Sequence, residues 1–276
     1  MTDGTAKSAV DWSPAQYAKF RDERAQPFYD LLALVQPQPD MRVVDLGCGP
    51  GELTRVLHDT LGARETVGAD NSPAMLEKAA AFAGEGLRFE HADLGAFSAP
   101  GAFDLVFANA ALQWSPDHPA LLARLTASLA PGGQLAVQVP ANDDAPSHAL
   151  AGVVASESPF REALGGYTRI SPVLAPEAYA TLLNQLGYAP QTVRMQVYGH
   201  TLGSREDVIE WVRGTWLTAY EKRLPAEMWP AFLARYRELL FAELPDSRPF
   251  FYPFKRILFW GRRSSRPAAT RNFFLA

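Results

Sequence analysis

The stretch Val43-Val44-Asp45-Leu46-Gly47-Cys48-Gly49-Pro50-Gly51 decides how this chain is read. An apolar run enters a turn with three glycines in five positions, the pattern of a buried strand meeting a helix. Glycine lets backbone approach a ligand where any Cβ would collide with it. The N–H groups of such a turn, and the positive end of the following helix (Glu52-Leu53-Thr54-Arg55-Val56-Leu57), face one crevice. Pro50 and Gly51 are expected to open that helix, because proline's missing N–H leaves nothing unpaired in a first turn. Cys48, the one cysteine of the chain, reads as a small apolar residue of the turn rather than a nucleophile.

Two kinds of binding turn compete for this pattern. The dinucleotide fingerprint G-x-G-x-x-G needs a glycine at position 52, and that residue is Glu52. The spacing present is G-x-G-x-G preceded by Asp45, which resembles the first motif of the class I S-adenosylmethionine (SAM) methyltransferases. On that resemblance Asp45, Gly47, Gly49 and Gly51 become candidate cofactor residues.

The chain downstream repeats a strand–helix alternation. Glu65–Asp70 reads as a second strand ending in an acid about 20 residues past the turn, where a carboxylate offers two acceptors to a ribose diol. Asn71 follows it, and Met75 in the next helix is a candidate to pack on the adenine. Leu87–Asp93 is a third strand. The methyltransferase pattern implies that Asp93, with Leu94 beside it, meets the adenine amino group. Phe103–Asn109 and Gln134–Pro140 are the fourth and fifth strands. Asn109 ends the fourth at the crevice, and Gln113 and Trp114 follow it as the expected flanks of the transferred methyl group. Thr192–Tyr198 and Phe250–Trp260 complete a seven-stranded, mostly parallel, doubly wound sheet of Rossmann-like α/β class.

Between the last two strands a hairpin would suffice, yet about forty residues intervene, with helices expected over Ser204–Arg223 and Met228–Glu243. They are read as a helical substrate lid. The organisation expected is a core over 1–203, a lid over 204–246, a last core strand within 247–263 and a loosely held tail over 264–276. Residues 141–174 read as a long loop with short helices. At the other end a helix from Ser13-Pro14 is expected to stop at Pro27, with a second over Phe28–Val35. In α/β methyltransferases such a leading helix lies over the cofactor, which implies Tyr17 and Arg24 as partners of its methionyl carboxylate.

Composition narrows the function classes. Apolar residues make up 47% and charged residues 20%, as in an ordinary globular enzyme, and no apolar run suffices to span a membrane. The first residues lack a secretion signal core, so a cytoplasmic location is expected. A net charge of −4 argues against nucleic acid as a general partner. Residues 1–203 carry 13 Lys/Arg against 22 Asp/Glu, whereas 204–263 carry 11 against 8. The relative excess of cations at the expected lid suits an acidic substrate. No metal is expected, and a monomer is compatible with everything above.

Three stretches together resemble the trans-aconitate 2-methyltransferase family. They are Trp12-Ser13-Pro14 with Tyr17 and Glu23-Arg24; Phe107-Ala108-Asn109-Ala110 with Leu112-Gln113-Trp114 and Pro116-Asp117-His118; and Leu135-Ala136-Val137-Gln138-Val139-Pro140. Val208-Ile209-Glu210-Trp211-Val212 fits as well, so the resemblance spans about residues 11–263. It implies a SAM-dependent enzyme that esterifies a carboxylate of a small polycarboxylic acid, with S-adenosylhomocysteine as coproduct. One departure falls in the lid. Where the family carries Gly-Leu-Arg-Pro, this chain has Trp216-Leu217-Thr218-Ala219, so Thr218 replaces an arginine, the natural bidentate partner of a carboxylate. Arg169, Tyr220, Lys255 and Arg256 are the remaining candidates for the acid's other carboxylates. A carboxylate nucleophile is ionised at pH 7 and needs no base. His118 and His148, which could serve a phenol or amine, read as surface or loop histidines. Transfer to another O, N or C nucleophile, a SAM-binding sensor without catalysis, and a nicotinamide-dependent oxidoreductase are the alternatives.

Overall fold

The structure is a computed structural model and describes residues 21–264. Tyr17, the side chain of Arg24, the start of the leading helix and the tail beyond Ser264 lie outside the described residues. One seven-stranded sheet in the order β3-β2-β1-β4-β5-β7-β6 organises the chain. β1 (Arg42–Leu46), β2 (Glu65–Asp70), β3 (Leu87–His91), β4 (Phe103–Asn109) and β5 (Leu129–Pro140) run parallel. β7 (Phe250–Arg263) enters antiparallel between β5 and β6 (Tyr188–Leu202). The fold class expected from the sequence is therefore the one observed.

The central strands are apolar at successive positions because both of their faces are covered. Val43, Leu105, Phe107 and Leu258 point to one face, against Phe28 and Leu31 of α1 (Arg21–Leu32) and Leu57 and Leu61 of α2 (Glu52–Leu61). Val44, Val67, Val106 and Val137 point to the other, against Leu121, Leu122 and Leu125 of α4 (His118–Ala127) and Tyr179 and Leu183 of α7 (Pro176–Gln185). Two helix starts are fixed by side chains. Ser72 Oγ caps α3 (Pro73–Ala79), and Asp117 accepts from Ala120 N–H at 2.9 Å to begin α4.

The leading helix does not stop at Pro27 but runs through it. The ring forfeits one backbone bond, and burial of Phe28, Leu31 and Leu32 against the sheet offsets that loss. At the glycine turn, Pro50 stays outside the helix. Gly51, at φ 83°, is the cap and α2 begins at Glu52.

A second body of helices sits over the carboxyl ends of the strands. It is built from two separate stretches. α5 (Pro146–Ala155) and α6 (Phe160–Ala163) come before β6, while α8 (Glu206–Arg213), α9 (Thr218–Glu221) and α10 (Trp229–Glu243) come after it. One apolar cluster joins Val154, Phe160, Trp211, Tyr220, Phe232 and Tyr236. The helix expected over Ser204–Arg223 is broken: α8 ends at Gly214 and α9 restarts at Thr218, leaving Thr215 and Trp216 in an open turn.

Candidate active site

A cavity lies between the sheet and this second body. At its sheet end the three glycines have separate tasks. A Cβ on Gly47 (φ 74°) would stand 2.5 Å from the Ala111 Cβ, so Gly47 lets the loop after β4 close in. A Cβ on Gly51 would meet Ala79 and the Phe89 ring within 2.9 Å. A Cβ on Gly49 (φ 56°) would meet nothing within 4 Å, and Gly49 lines the cavity. Of the three, Gly49 is the position where absence of a side chain leaves room for a ligand.

Asp70 ends β2 at the cavity wall, and backbone holds both its oxygens. Gly49 N–H donates to Oδ2 at 2.9 Å and Ser72 N–H to Oδ1 at 2.8 Å. Asn71, Met75 and Leu94 line the same wall. Asp45 does not. It lies behind the turn, where it accepts from Thr54 Oγ1 at 2.6 Å, and burial pushes its carboxyl up to about 7. Gly51 is likewise behind the wall. Asp93 is exposed at the rim, with Oδ1 accepting from Gly95 N–H at 2.8 Å.

Past β4 the chain makes a strained step. Ala110 takes φ 54°, a left-handed conformation unusual for alanine. Its N–H donates to the Gln138 carbonyl and its own carbonyl accepts from Gln113 Nε2 at 2.7 Å. This fixes Gln113 against the cavity with its Oε1 buried and without a partner among the described residues; Asn109 Oδ1 is in the same state. Two buried, unpaired acceptors in one wall are costly unless a donor meets them.

The far end of the cavity is aromatic and cationic. The Arg169 guanidinium lies between two indoles, its carbon 4.3 Å from the Trp216 centroid and 5.0 Å from that of Trp114. Its Nη1 donates to the carbonyls of Thr215 and Trp216 at 3.1 and 3.0 Å, the two residues freed by the break between α8 and α9. Among the described residues no carboxylate forms an ion pair with it. Arg256 of β7 is buried in the same wall and donates to Gln138 Oε1. The other two acid-binding candidates are elsewhere. Lys255 reaches away to Asp144, at 2.6 Å. Tyr220 is wholly buried in the helical cluster, where its hydroxyl accepts from Arg169 N–H at 3.1 Å, so it supports the arginine from behind.

The sequence reading left several wall residues out. Asp143 lines the cavity, and burial raises its carboxyl against the opposing effects of Ser171 and Arg169. An acid pair directly after a strand's carboxyl end was the available signal for it. His148 is neither surface nor loop. It is 7% exposed, forms part of the cavity wall from α5, and burial holds its imidazole down at about 3. His118 is also buried, bound to the Tyr179 hydroxyl and the Leu112 carbonyl, and its imidazole is lowered by burial. No local pattern marks either, since what buries them is packing from distant segments. The Cys48 thiol is inert as expected, its ionisation suppressed by burial.

A family model described as a methyltransferase domain matches residues 43–133. A trans-aconitate 2-methyltransferase from Deinococcus radiodurans is 48% identical over 260 residues, covering 92% of this chain and 99% of that protein. One from Variovorax paradoxus is 43% identical over 233 residues, covering 82% and 88%. Among solved structures, the YcgJ protein from Bacillus subtilis superimposes with a TM-score of 0.59 at 16% identity, over 87% of this chain and 98% of that one, which is a likeness of fold. With near-complete coverage at such identity, the chain belongs to the trans-aconitate 2-methyltransferase family.

Proposed function

We propose that the protein transfers the methyl group of SAM to one carboxylate of a small polycarboxylic acid such as trans-aconitate, releasing a methyl ester and S-adenosylhomocysteine. The observation that carries this reading is one continuous cavity with two unlike ends. Near the glycine turn it has open space at Gly49, the Asp70 carboxylate and two orphaned acceptors. Across from them it has Arg169 and Arg256.

The residues fit the cofactor by their donor and acceptor sense. Asp70 suits a ribose diol, and Met75 and Leu94 suit the faces of a base. Asn109 Oδ1 and Gln113 Oε1 suit an ammonium or hydroxyl donor. SAM, when bound, supplies a methyl group on a positively charged sulfonium. The chain then has three tasks. Arg169 and Arg256 hold carboxylates of the acid, with Arg169 kept planar and oriented by the two indoles and two carbonyls. Gln113 and Trp114, on the rigid step at Ala110, fix the approach line. The helical body over 146–163 and 204–243 acts as a lid that keeps water out. No base is required, since a carboxylate is already ionised at neutral pH. Thr218, which replaces the family's arginine, donates to the Thr215 carbonyl at 2.6 Å, and Arg169 binds that same carbonyl. Arg169 thus brings a guanidinium to the stretch where one is missing.

The test is incubation with methyl-labelled SAM and a panel of di- and tricarboxylic acids, scored for base-labile methyl esters. Ester formation on a tricarboxylic acid is expected. Tight SAM binding with no transfer to any acid would sink the reading. A thermal shift with SAM but not with NAD checks the cofactor independently.

A further inference from the structure

His148 is the one imidazole in the cavity wall, and methyl transfer to a carboxylate leaves it without a proton-transfer task. Its surroundings assign it another. Nδ1 lies 3.0 Å from Ser147 Oγ, and Ser147 Oγ lies 2.9 Å from the Tyr252 hydroxyl. The ring packs against Trp216 at 4.9 Å and Phe254 at 6.1 Å, and the His148 carbonyl accepts from Trp216 Nε1. Ring position and backbone are therefore both fixed. Among the described residues nothing bonds to Nε2.

The direction of the hydroxyl chain follows from acidity. A phenol is a stronger donor than an aliphatic hydroxyl, so Tyr252 donates to Ser147 and Ser147 donates to Nδ1. Nδ1 then holds the lone pair, and the ring proton sits on Nε2. We propose that His148 is a specificity residue that presents a neutral Nε2–H donor to a carboxylate of the acceptor acid, one that neither arginine holds. The inference rests on the acid-methylating reading of this cavity. Burial keeps the ring neutral, and of the charged groups around it Arg169 and Lys255 oppose protonation while Asp144 favours it. Asp143, Arg256 and Asp70 are further ionisable groups lining the same cavity. A fixed neutral donor lets the site read a third anionic group without a third buried cation, whose desolvation would be expensive.

The test compares His148→Phe, which keeps an aromatic ring but removes the donor, with His148→Gln, whose amide can restore one. His148→Phe should raise KM for the acid at least about tenfold, the worth of one hydrogen bond to a charged group. KM for SAM should change little, and His148→Gln should recover part of the loss. Ser147→Ala, which frees the tautomer, should fall between. Wild-type kcat/KM for the acid should show no limb attributable to an imidazole between pH 6 and 8. Titration of the acid into the S-adenosylhomocysteine-loaded protein gives the same ranking without turnover. If His148→Phe leaves acid affinity and KM within twofold of wild type, or if an imidazole limb appears and vanishes in His148→Gln, the proposal is overturned while acid methylation stands. If the wild type neither binds nor methylates any acid, both fall.

Discussion

Gly49 and Gly51 share a left-handed backbone and stand two residues apart, yet they should fail differently when replaced. Alanine at 51 meets the Ala79 backbone and the Phe89 ring within 2.9 Å. Strain and overpacking together should remove roughly 2–4 kcal/mol of stability, readable as a lower midpoint in denaturant. Alanine at 49 has open space and should lose only about 1–2 kcal/mol from backbone strain, while weakening SAM binding more than tenfold, by calorimetry, because its methyl enters the cavity. Equal losses of stability at the two sites would contradict this division. Asp45 shows a second contrast between spelling and place. It belongs to the motif by sequence, but its carboxyl faces Thr54 behind the turn. Burial holds that carboxyl at about 7 against an ordinary 3.8. Between these values the folded protein binds more protons than the unfolded chain, so this group makes stability fall as pH rises. Below about 4 it exerts no penalty, and above about 7 the penalty is complete. Asp45→Asn keeps an acceptor for Thr54 without the charge. Its stability relative to wild type should therefore rise from pH 4 to 7, by an amount on the order of 4 kcal/mol at most, and level off above. Unfolding of both proteins at pH 4.5, 6 and 8 checks the sign, and a pH-independent difference would refute it.

Elements explain what the sequence could and could not disclose. Strands β1, β2, β4 and β5 are legible as largely apolar runs, β3 by the alternation of Leu87 and Phe89 with Arg88 and Glu90, and the helices between them are the right length for crossovers. The break after Arg213 is not legible. Val208, Trp211 and Val212 continue a helical period into Trp216, and only the packed structure shows that Gly214 ends the helix and turns two carbonyls toward Arg169. Arg169 itself was recognisable as a cation on a loop, but its place depends on Trp114 from the β4–α4 connection and Trp216 from the α8–α9 turn, 102 positions apart in sequence. Lys255 had the same chemical credentials and points to Asp144 instead. Residue type thus found the candidates and tertiary contact selected among them. Because Arg169 is planar and stacked, Arg169→Lys should not be conservative. Loss of the fork and of both ring contacts should raise KM for the acid by about 10- to 100-fold with SAM affinity little changed. A KM unchanged in Arg169→Lys would move acid recognition to Arg256.

At the scale of the molecule, two apolar bodies meet along the cavity: the sheet with its helices, and the cluster of α5, α6 and α8 to α10. The second body borrows Phe250, Tyr252 and Phe254 from the first five residues of β7, so it is anchored to the sheet on one side and faces the cavity on the other. Its two halves are joined by α5 packing on α10 and by the Arg235–Glu157 pair at 2.8 and 2.9 Å, a half-exposed contact worth little by itself. Such a body should open locally at lower free energy than the seven-stranded sheet. If it is the lid, its opening and acid binding must be coupled, because Arg169 contacts Trp114 below and Trp216 above. Hydrogen exchange separates the two ligands. S-adenosylhomocysteine alone should slow exchange mainly around 47–51 and 70–75. Further addition of the acid should slow it in 146–155 and 206–221, and much less in 229–243, which do not line the cavity. Protection by the acid confined to the sheet's loops would show that the helical body is a fixed wall and that entry to the site is controlled elsewhere.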